Sequence, residues 1–92
     1  MKITVKTFAT LREIFGGTGM LYLELPEGST IEDLLKKLEE QYGSRLDISR
    51  LVGENSNVKV LVNGREITYL DGLRTKLRDG DSVAFIPPVA GG

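Results

Sequence analysis

The stretch Gly28-Ser-Thr-Ile-Glu-Asp-Leu-Leu-Lys-Lys-Leu-Glu-Glu-Gln-Tyr-Gly43 decides how the rest of the chain can be arranged. Ile31, Leu34, Leu35, Leu38 and Tyr42 recur at the spacing of one helix face, Ser29 or Thr30 supplies an N-cap, and Gly43 supplies a stop. The opposite face carries Glu32, Lys36, Lys37, Glu39 and Glu40, a mixture of signs that reads as a solvated surface rather than a site. A helix with a single apolar stripe must bury that stripe against another layer, and the flanking sequence is rich in strand signals.

On the N-terminal side, residues 2–8 alternate, with Ile3 and Val5 on one face and Lys2, Thr4 and Lys6 on the other. Leu21, Leu23 and Leu25 alternate with Tyr22 and Glu24 up to Pro26, the pattern of a second strand pairing with the first. Between them Thr10-Leu-Arg-Glu13 has capping-box spacing, and Leu11, Ile14 and Phe15 precede Gly16-Gly17, which predicts a helix of one or two turns. On the C-terminal side, Val58-Lys-Val-Leu-Val62 and residues 65–68 flank Asn63-Gly64, a type I′ hairpin signal. Asp79-Gly80-Asp81 is a further turn, and Ser82-Val-Ala-Phe-Ile86 a last strand halted by two prolines. Residues 44–57 have no clean period; Leu46, Ile48, Leu51 and Val52 would pin them to the core as an ordered loop or irregular turn.

Two strands, one crossing helix and three more strands make an α+β two-layer architecture. The expected solution is a β-grasp (ubiquitin-like) fold: a mixed sheet of four to five strands packed on one main helix, the first and last strands parallel and adjacent at its centre. Ile3, Val5, Val60, Val62, Val83 and Phe85 would then face the helix, and alternation sends Leu61, Ala84 and Ile86 to the other face. That outer strip is a candidate partner surface, unless the loop over 44–57 or a second copy covers it. With 92 residues the chain forms one domain, 1–92, with 87–92 as a flexible C-terminal tail.

Composition narrows the chemistry. Twelve Lys and Arg against thirteen Asp and Glu leave a formal charge of −1, too balanced for a nucleic-acid or anionic-membrane partner. No apolar run has the length of a membrane span, and no signal peptide is recognisable, so a cytoplasmic location is expected. The chain has no Cys and no His, which removes a disulfide framework, a thiolate nucleophile, a Cys-ligated metal and the usual neutral-pH base. Neither G-x-x-x-x-G-K-[ST] nor G-x-G-x-x-G occurs, and Gly16-Gly17-Thr18-Gly19 lacks the spacing of a phosphate loop. Carboxylates, Lys, Tyr, hydroxyls and the termini remain.

The tail is the informative terminus. After Ile86 the sequence is uncharged to its end, and Pro87-Pro88 fixes φ near −65° while removing two backbone donors, so sheet pairing cannot continue. Residues 87–92 in extended form reach about 20 Å, far enough to enter another protein's pocket. Gly91 and Gly92 have no Cβ and so pass a narrow channel with the terminal acyl carbon open to attack. A carboxylate becomes a competent acyl donor once AMP is transferred to it, and with no nucleotide motif of its own the chain is expected to be the substrate of an ATP-using enzyme.

Phe85-Ile-Pro-Pro-Val-Ala-Gly-Gly92 resembles the terminus of the small subunit of molybdopterin synthase, the MoaD type of ubiquitin-like sulfur carrier in the MoaD/ThiS family. Phe8-Ala-Thr-Leu-Arg-Glu-Ile-Phe-Gly16, Gly28-Ser-Thr-Ile-Glu-Asp-Leu-Leu35, Val62-Asn-Gly64 and Leu77-Arg-Asp-Gly-Asp81 are similar to other segments of that family, leaving only 44–57 without a counterpart. The resemblance implies that Gly92 is adenylated by an E1-like (MoeB-type) enzyme, becomes a thiocarboxylate, and enters the large (MoaE-type) synthase subunit. There it donates sulfur to the pterin precursor in molybdenum or tungsten cofactor biosynthesis. Gly92 is then the only catalytic residue, and Pro87, Pro88, Val89, Ala90 and Gly91 form the inserted tail, with Phe85 and Ile86 at its base and Leu61 and Ala84 on the partner-binding sheet face. The chain would be the sulfur-donating subunit of a sulfurtransferase complex, not catalytic alone, with no permanently bound cofactor and ATP used by the activating enzyme.

Other readings share the tail. A ThiS-type carrier delivers sulfur to the thiamin thiazole, although the helical segment after the first strand and Pro87-Pro88 argue against it. A ubiquitin-like modifier would join Gly92 to a lysine of a target protein. A plain binding module would use the sheet face and leave the tail unexplained. Asp79 and Asp81 are expected to make a turn rather than a metal site. Lys2, Lys6 and Lys59 are expected to form a small basic strip on the outer face, serving solubility or an acidic activating enzyme.

Overall fold

A computed structural model describes residues 1–7, 19–42 and 58–86, with Tyr42 described by its backbone only. The short helix expected over 10–15, the stop at Gly43, the segment 44–57 and the tail 87–92 lie outside the described residues. Five strands form one mixed sheet: β1 Lys2–Thr7, β2 Met20–Glu24, β3 Lys59–Val62, β4 Arg65–Glu66 and β5 Ser82–Ile86, in the order β2-β1-β5-β3-β4. The helix α1, Ile31–Tyr42, packs on one face. β1 pairs antiparallel with β2 and parallel with β5, and β5 pairs antiparallel with β3, so the first and last strands lie side by side inside the sheet. This is the β-grasp arrangement.

The core follows the two periodicities. Ile3, Val5, Val60, Val62, Val83 and Phe85 point from the sheet into Ile31, Leu34, Leu35 and Leu38 of α1, with Leu23, Leu25, Ile67 and Leu77 closing the sides. Each large aliphatic side chain so buried stabilises the fold by about 1.5–3 kcal/mol relative to exposure. α1 begins where the sequence places it: Thr30 Oγ1 accepts from the Asp33 N–H at 3.3 Å, while Asp33 Oδ2 accepts from the Thr30 N–H at 2.9 Å. The Thr30 amide first, and second its hydroxyl, which donates to Asp33 Oδ2 at 3.1 Å, hold the Asp33 carboxyl below its ordinary value against an opposing desolvation, with Lys36 adding a lesser pull. Ser29, the other candidate cap, instead donates its hydroxyl to the Pro26 carbonyl at 2.7 Å.

One expectation is corrected. The strand expected over 65–68 ends after Glu66, and the chain turns into a 3₁₀ turn at Ile67–Tyr69, then a second at Gly72–Arg74. Continuing the strand would leave Ile67 on the sheet edge; the turn tucks it into the core. It also directs the following residues beneath the start of α1. There the Ile31 N–H donates to the Thr75 carbonyl at 3.0 Å, and the Leu77 N–H to the Ser29 carbonyl at 2.9 Å.

The sheet end opposite the tail is closed by turn chemistry. Asn63, at φ 52°, and Gly64, at φ 84°, form the β3–β4 turn, both in the left-handed region that type I′ requires. Asn63 Nδ2 donates to Asp81 Oδ1 at 3.0 Å, and the Ser82 N–H donates to Asn63 Oδ1 at 3.0 Å. At the same end the Met1 ammonium donates to the Leu25 carbonyl at 2.8 Å.

Candidate functional site

β5 is the element that presents the tail. Phe85 is wholly buried, with Thr7 beside it on β1 and Val60 beside it on β3, so the strand is held on both edges and from below. Ile86 is the last described residue; it pairs with Lys59 and is half-buried on the outer face. Beyond it, Pro87 has no N–H to extend the ladder. The structure therefore brings together the base of the expected site, Leu61, Ala84, Phe85 and Ile86. Pro87, Pro88, Val89, Ala90, Gly91 and Gly92 lie outside the described residues. Phe85, grouped with the tail in the sequence, has its ring in the core by strand alternation, and so it holds the tail base from within and does not face a partner.

On the outer face the registers align Met20, Lys6, Ala84, Leu61 and Glu66 in one row across all five strands. Ala84 and Leu61, half-buried, form its apolar middle, and Ile86 adds to it at the exit end. The expected basic strip is divided. Lys59 stands on β3 and Lys2 and Lys6 on β1, so β5 runs between cations, and Lys2 is paired in register with Glu24. A polypeptide leaving at Ile86 thus emerges from an apolar patch with an ammonium group to either side, an arrangement suited to an apolar partner surface with acidic margins.

Asp79 and Asp81 act as turn acceptors. Asp79 Oδ1 takes the Lys2 N–H at 2.7 Å, and Asp81 Oδ2 takes the Arg78 N–H at 2.8 Å. Together with the Asn63 side-chain amide on Asp81 Oδ1, these backbone donors occupy the two carboxylates around Gly80, whose φ of 87° closes the turn. Among the described residues no cluster of three or more acidic side chains could hold a metal ion, and no helix is long and apolar enough to cross a membrane.

Sequence reasoning missed Tyr69 and Leu70, two exposed apolar side chains at the exit end of the sheet. Their signal was an apolar pair directly before Asp71-Gly72, just beyond the strand expected over 65–68.

The ThiS family model matches residues 5–92. Over their full lengths, the chain is 40% identical to small archaeal modifier protein 3 of Haloferax volcanii, covering 100% of both. It is 34% identical to the molybdopterin synthase sulfur carrier subunit of Mycobacterium tuberculosis, covering 100% of this chain and 99% of that one. Among solved structures, a putative molybdopterin converting factor subunit 1 from Pyrococcus furiosus superposes with a TM-score of 0.78 at 31% identity, over 97% of this chain and 99% of that one. The fold also matches the Amycolatopsis orientalis BexX/CysO complex, with a TM-score of 0.78 at 28% identity over 98% of this chain and 99% of that one. The parallel β1–β5 pair, the helix α1 across the sheet and this full-length similarity agree: the chain belongs to the ThiS family and is a ubiquitin-like β-grasp sulfur carrier of the ThiS/MoaD type.

Proposed function

We propose that this chain is the sulfur-carrying small subunit of a molybdopterin synthase, working through the carboxylate of Gly92. The observation that carries the reading is the position of β5: it lies between β1 and β3, is anchored by Phe85, and ends at Ile86 on an apolar face, directly before the uncharged sequence Pro87-Pro-Val-Ala-Gly-Gly92. An E1-like, MoeB-type enzyme transfers AMP from ATP to Gly92, releasing pyrophosphate. A sulfur donor displaces AMP to leave a thiocarboxylate. The tail then enters a MoaE-type large subunit, where sulfur passes to the pterin precursor and water restores the carboxylate. The resemblance to the small synthase subunit assigns the acid–base groups for the last step to the partner. Small archaeal modifier protein 3, at 40% identity over the whole chain, favours a second reading, in which a lysine amine of a target protein takes the activated Gly92.

The test is an intact-mass measurement after incubation with ATP, an E1-like enzyme and a sulfur donor. Replacement of one oxygen by sulfur in the C-terminal peptide supports the carrier chemistry, and transfer of that sulfur to the pterin precursor in the presence of the large subunit supports the synthase role. Absence of sulfur on Gly92, with Gly92–lysine conjugates formed in its place, overturns the reading in favour of the modifier.

A further inference from the structure

The turns after β4 leave Tyr69 84% exposed and Leu70 36% exposed. Single exposed hydrophobic side chains are ordinary; these two wall one side of a concavity of about 550 Å³ whose floor is Leu61 and Ile86 and whose rim carries Lys59, Arg65 and Glu66. Ile86 is the residue directly before Pro87, so the concavity opens where the tail begins. Anything else that fills it competes with a segment already tethered at its mouth.

The tail matches the concavity in reach, in shape and in charge. Ile86 is level with Lys59, and Arg65 with Val62, so Arg65 stands two strands over and three residues along from Ile86. At the spacings of a sheet that diagonal is about 14 Å, whereas residues 87–92 span about 20 Å, which brings Gly92 to Arg65 with slack for a change of direction. Pro87-Pro88 favours the polyproline II conformation, whose surface packs in grooves lined by aromatic side chains, and Tyr69 supplies the ring. Val89 and Ala90 are apolar, as Leu61 and Leu70 are. The one charge of the tail is the Gly92 carboxylate. Lys59 and Arg65 are exposed and, among the described residues, in no ion pair, while Glu66 offsets only one of them.

We infer that the concavity is the resting cradle of this chain's own tail: Pro87-Pro88 lies against Tyr69, Val89 and Ala90 lie over Leu61, and the Gly92 carboxylate pairs with Arg65 or Lys59. The inference rests on the carrier reading in taking Gly92 as the working terminus. Tethering selects this occupant over a free partner, because a short linker holds its far end at an effective concentration on the order of mM, and contacts too weak to retain a separate peptide then suffice. Docking covers Leu61 and Gly92 together, so release of the tail precedes adenylation, and an activating enzyme meets a substrate diluted by the docked fraction. A thiocarboxylate keeps the negative charge, so the loaded tail returns to the same cradle.

The experiment is NMR relaxation on the full-length chain labelled with ¹⁵N, comparing wild type with Tyr69→Ala, Arg65→Glu and Tyr22→Ala, the last removing a side chain 72% exposed on the far edge strand. Order parameters of the Val89 and Ala90 amides are expected above about 0.6 in wild type and Tyr22→Ala, and below it in Tyr69→Ala. Nuclear Overhauser contacts from Pro88 or Val89 to the Tyr69 ring should accompany the ordered state, and the Gly92 amide resonance should move in Arg65→Glu. Wild-type tail amides as mobile as those of Tyr69→Ala overturn the inference. So does tail order that disappears on dilution, which is the mark of a second copy's tail in the concavity. Should Tyr69→Ala fail to fold, Arg65→Glu, exposed and outside the core, decides by the Gly92 resonance. ATP–pyrophosphate exchange with an E1-like enzyme gives a second readout: KM is expected to fall by about twofold or more in Tyr69→Ala at unchanged kcat, because the tail is set free. An unchanged KM, or the rise that loss of an enzyme contact produces, overturns the inference and leaves the carrier reading intact. Exchange absent with every variant defeats the carrier reading, and the relaxation data still decide where the tail rests.

Discussion

Phe85 lies directly across from Val60 in the β3–β5 pair, both beneath the helix, and the next residue, Ile86, turns to the opposite face beside Lys59. A single step along one strand thus passes from the interior of the domain to the surface from which the tail departs. The rigidity of the tail base and the packing of the core are one property.

Phe85→Ala removes the largest wholly buried side chain among the described residues. It should destabilise the domain by about 3–5 kcal/mol, read as a lowered denaturant midpoint. Phe85→Leu should recover most of that loss. If Phe85→Ala leaves the midpoint where it was, the ring is not the anchor described above.

Removing Gly91-Gly92 separates chemistry from folding. Neither residue belongs to the core pattern, so the truncated chain should melt at the wild-type temperature yet take up no sulfur in the intact-mass measurement. A clear fall in melting temperature on truncation would mean that the tail is structural.

The cap of α1 gives a pH dependence with a definite sign. The Asp33 carboxyl is held below its ordinary value by the Thr30 amide and hydroxyl. Its contribution to stability is therefore complete above the unfolded-state carboxylate value and lost as pH falls through the lower folded-state value. Asp33→Asn should be less stable than wild type at neutral pH, and the difference should close on acidification below the ordinary carboxylate range. Denaturant titrations of both proteins at neutral and acid pH check this; a difference that does not shrink in acid excludes the mechanism. Thr30→Ala removes the other half of the reciprocal pair and should cost about 1 kcal/mol.

Much of this architecture could be read from local pattern because local pattern caused it. Ile3 and Val5 alternate with Lys2 and Thr4, Ile31 to Leu38 follow the helical period, and Asn63-Gly64 demands its turn; in each case the side chains that set the pattern are those the structure buries or bends. The path from Ile67 to Leu77 was not legible. It is held by contacts with residues some forty positions away, such as Ile31 to Thr75 and Ser29 to Leu77, and leaves no repeat in the sequence. The candidate site divides in the same way. The Gly-Gly terminus and its prolines stand out by composition, and the outer position of Leu61, Ala84 and Ile86 follows from alternation. The exposure of Tyr69 depends on a strand ending early, which residue type alone does not reveal.

The parallel pairing of β1 with β5 also determines how the domain bears a load. Because the chain enters β1 at one end of the sheet and leaves β5 at the other, tension between Met1 and Gly92 runs along both strands and strains their hydrogen bonds together, in shear. Tension between Met1 and Leu25 would instead peel β1 from β2 one rung at a time, beginning at Lys2 and Glu24. In a single-molecule pulling experiment the first geometry should rupture at the higher force. An enzyme hauling on the last glycine would then find a body that resists being drawn in after its tail.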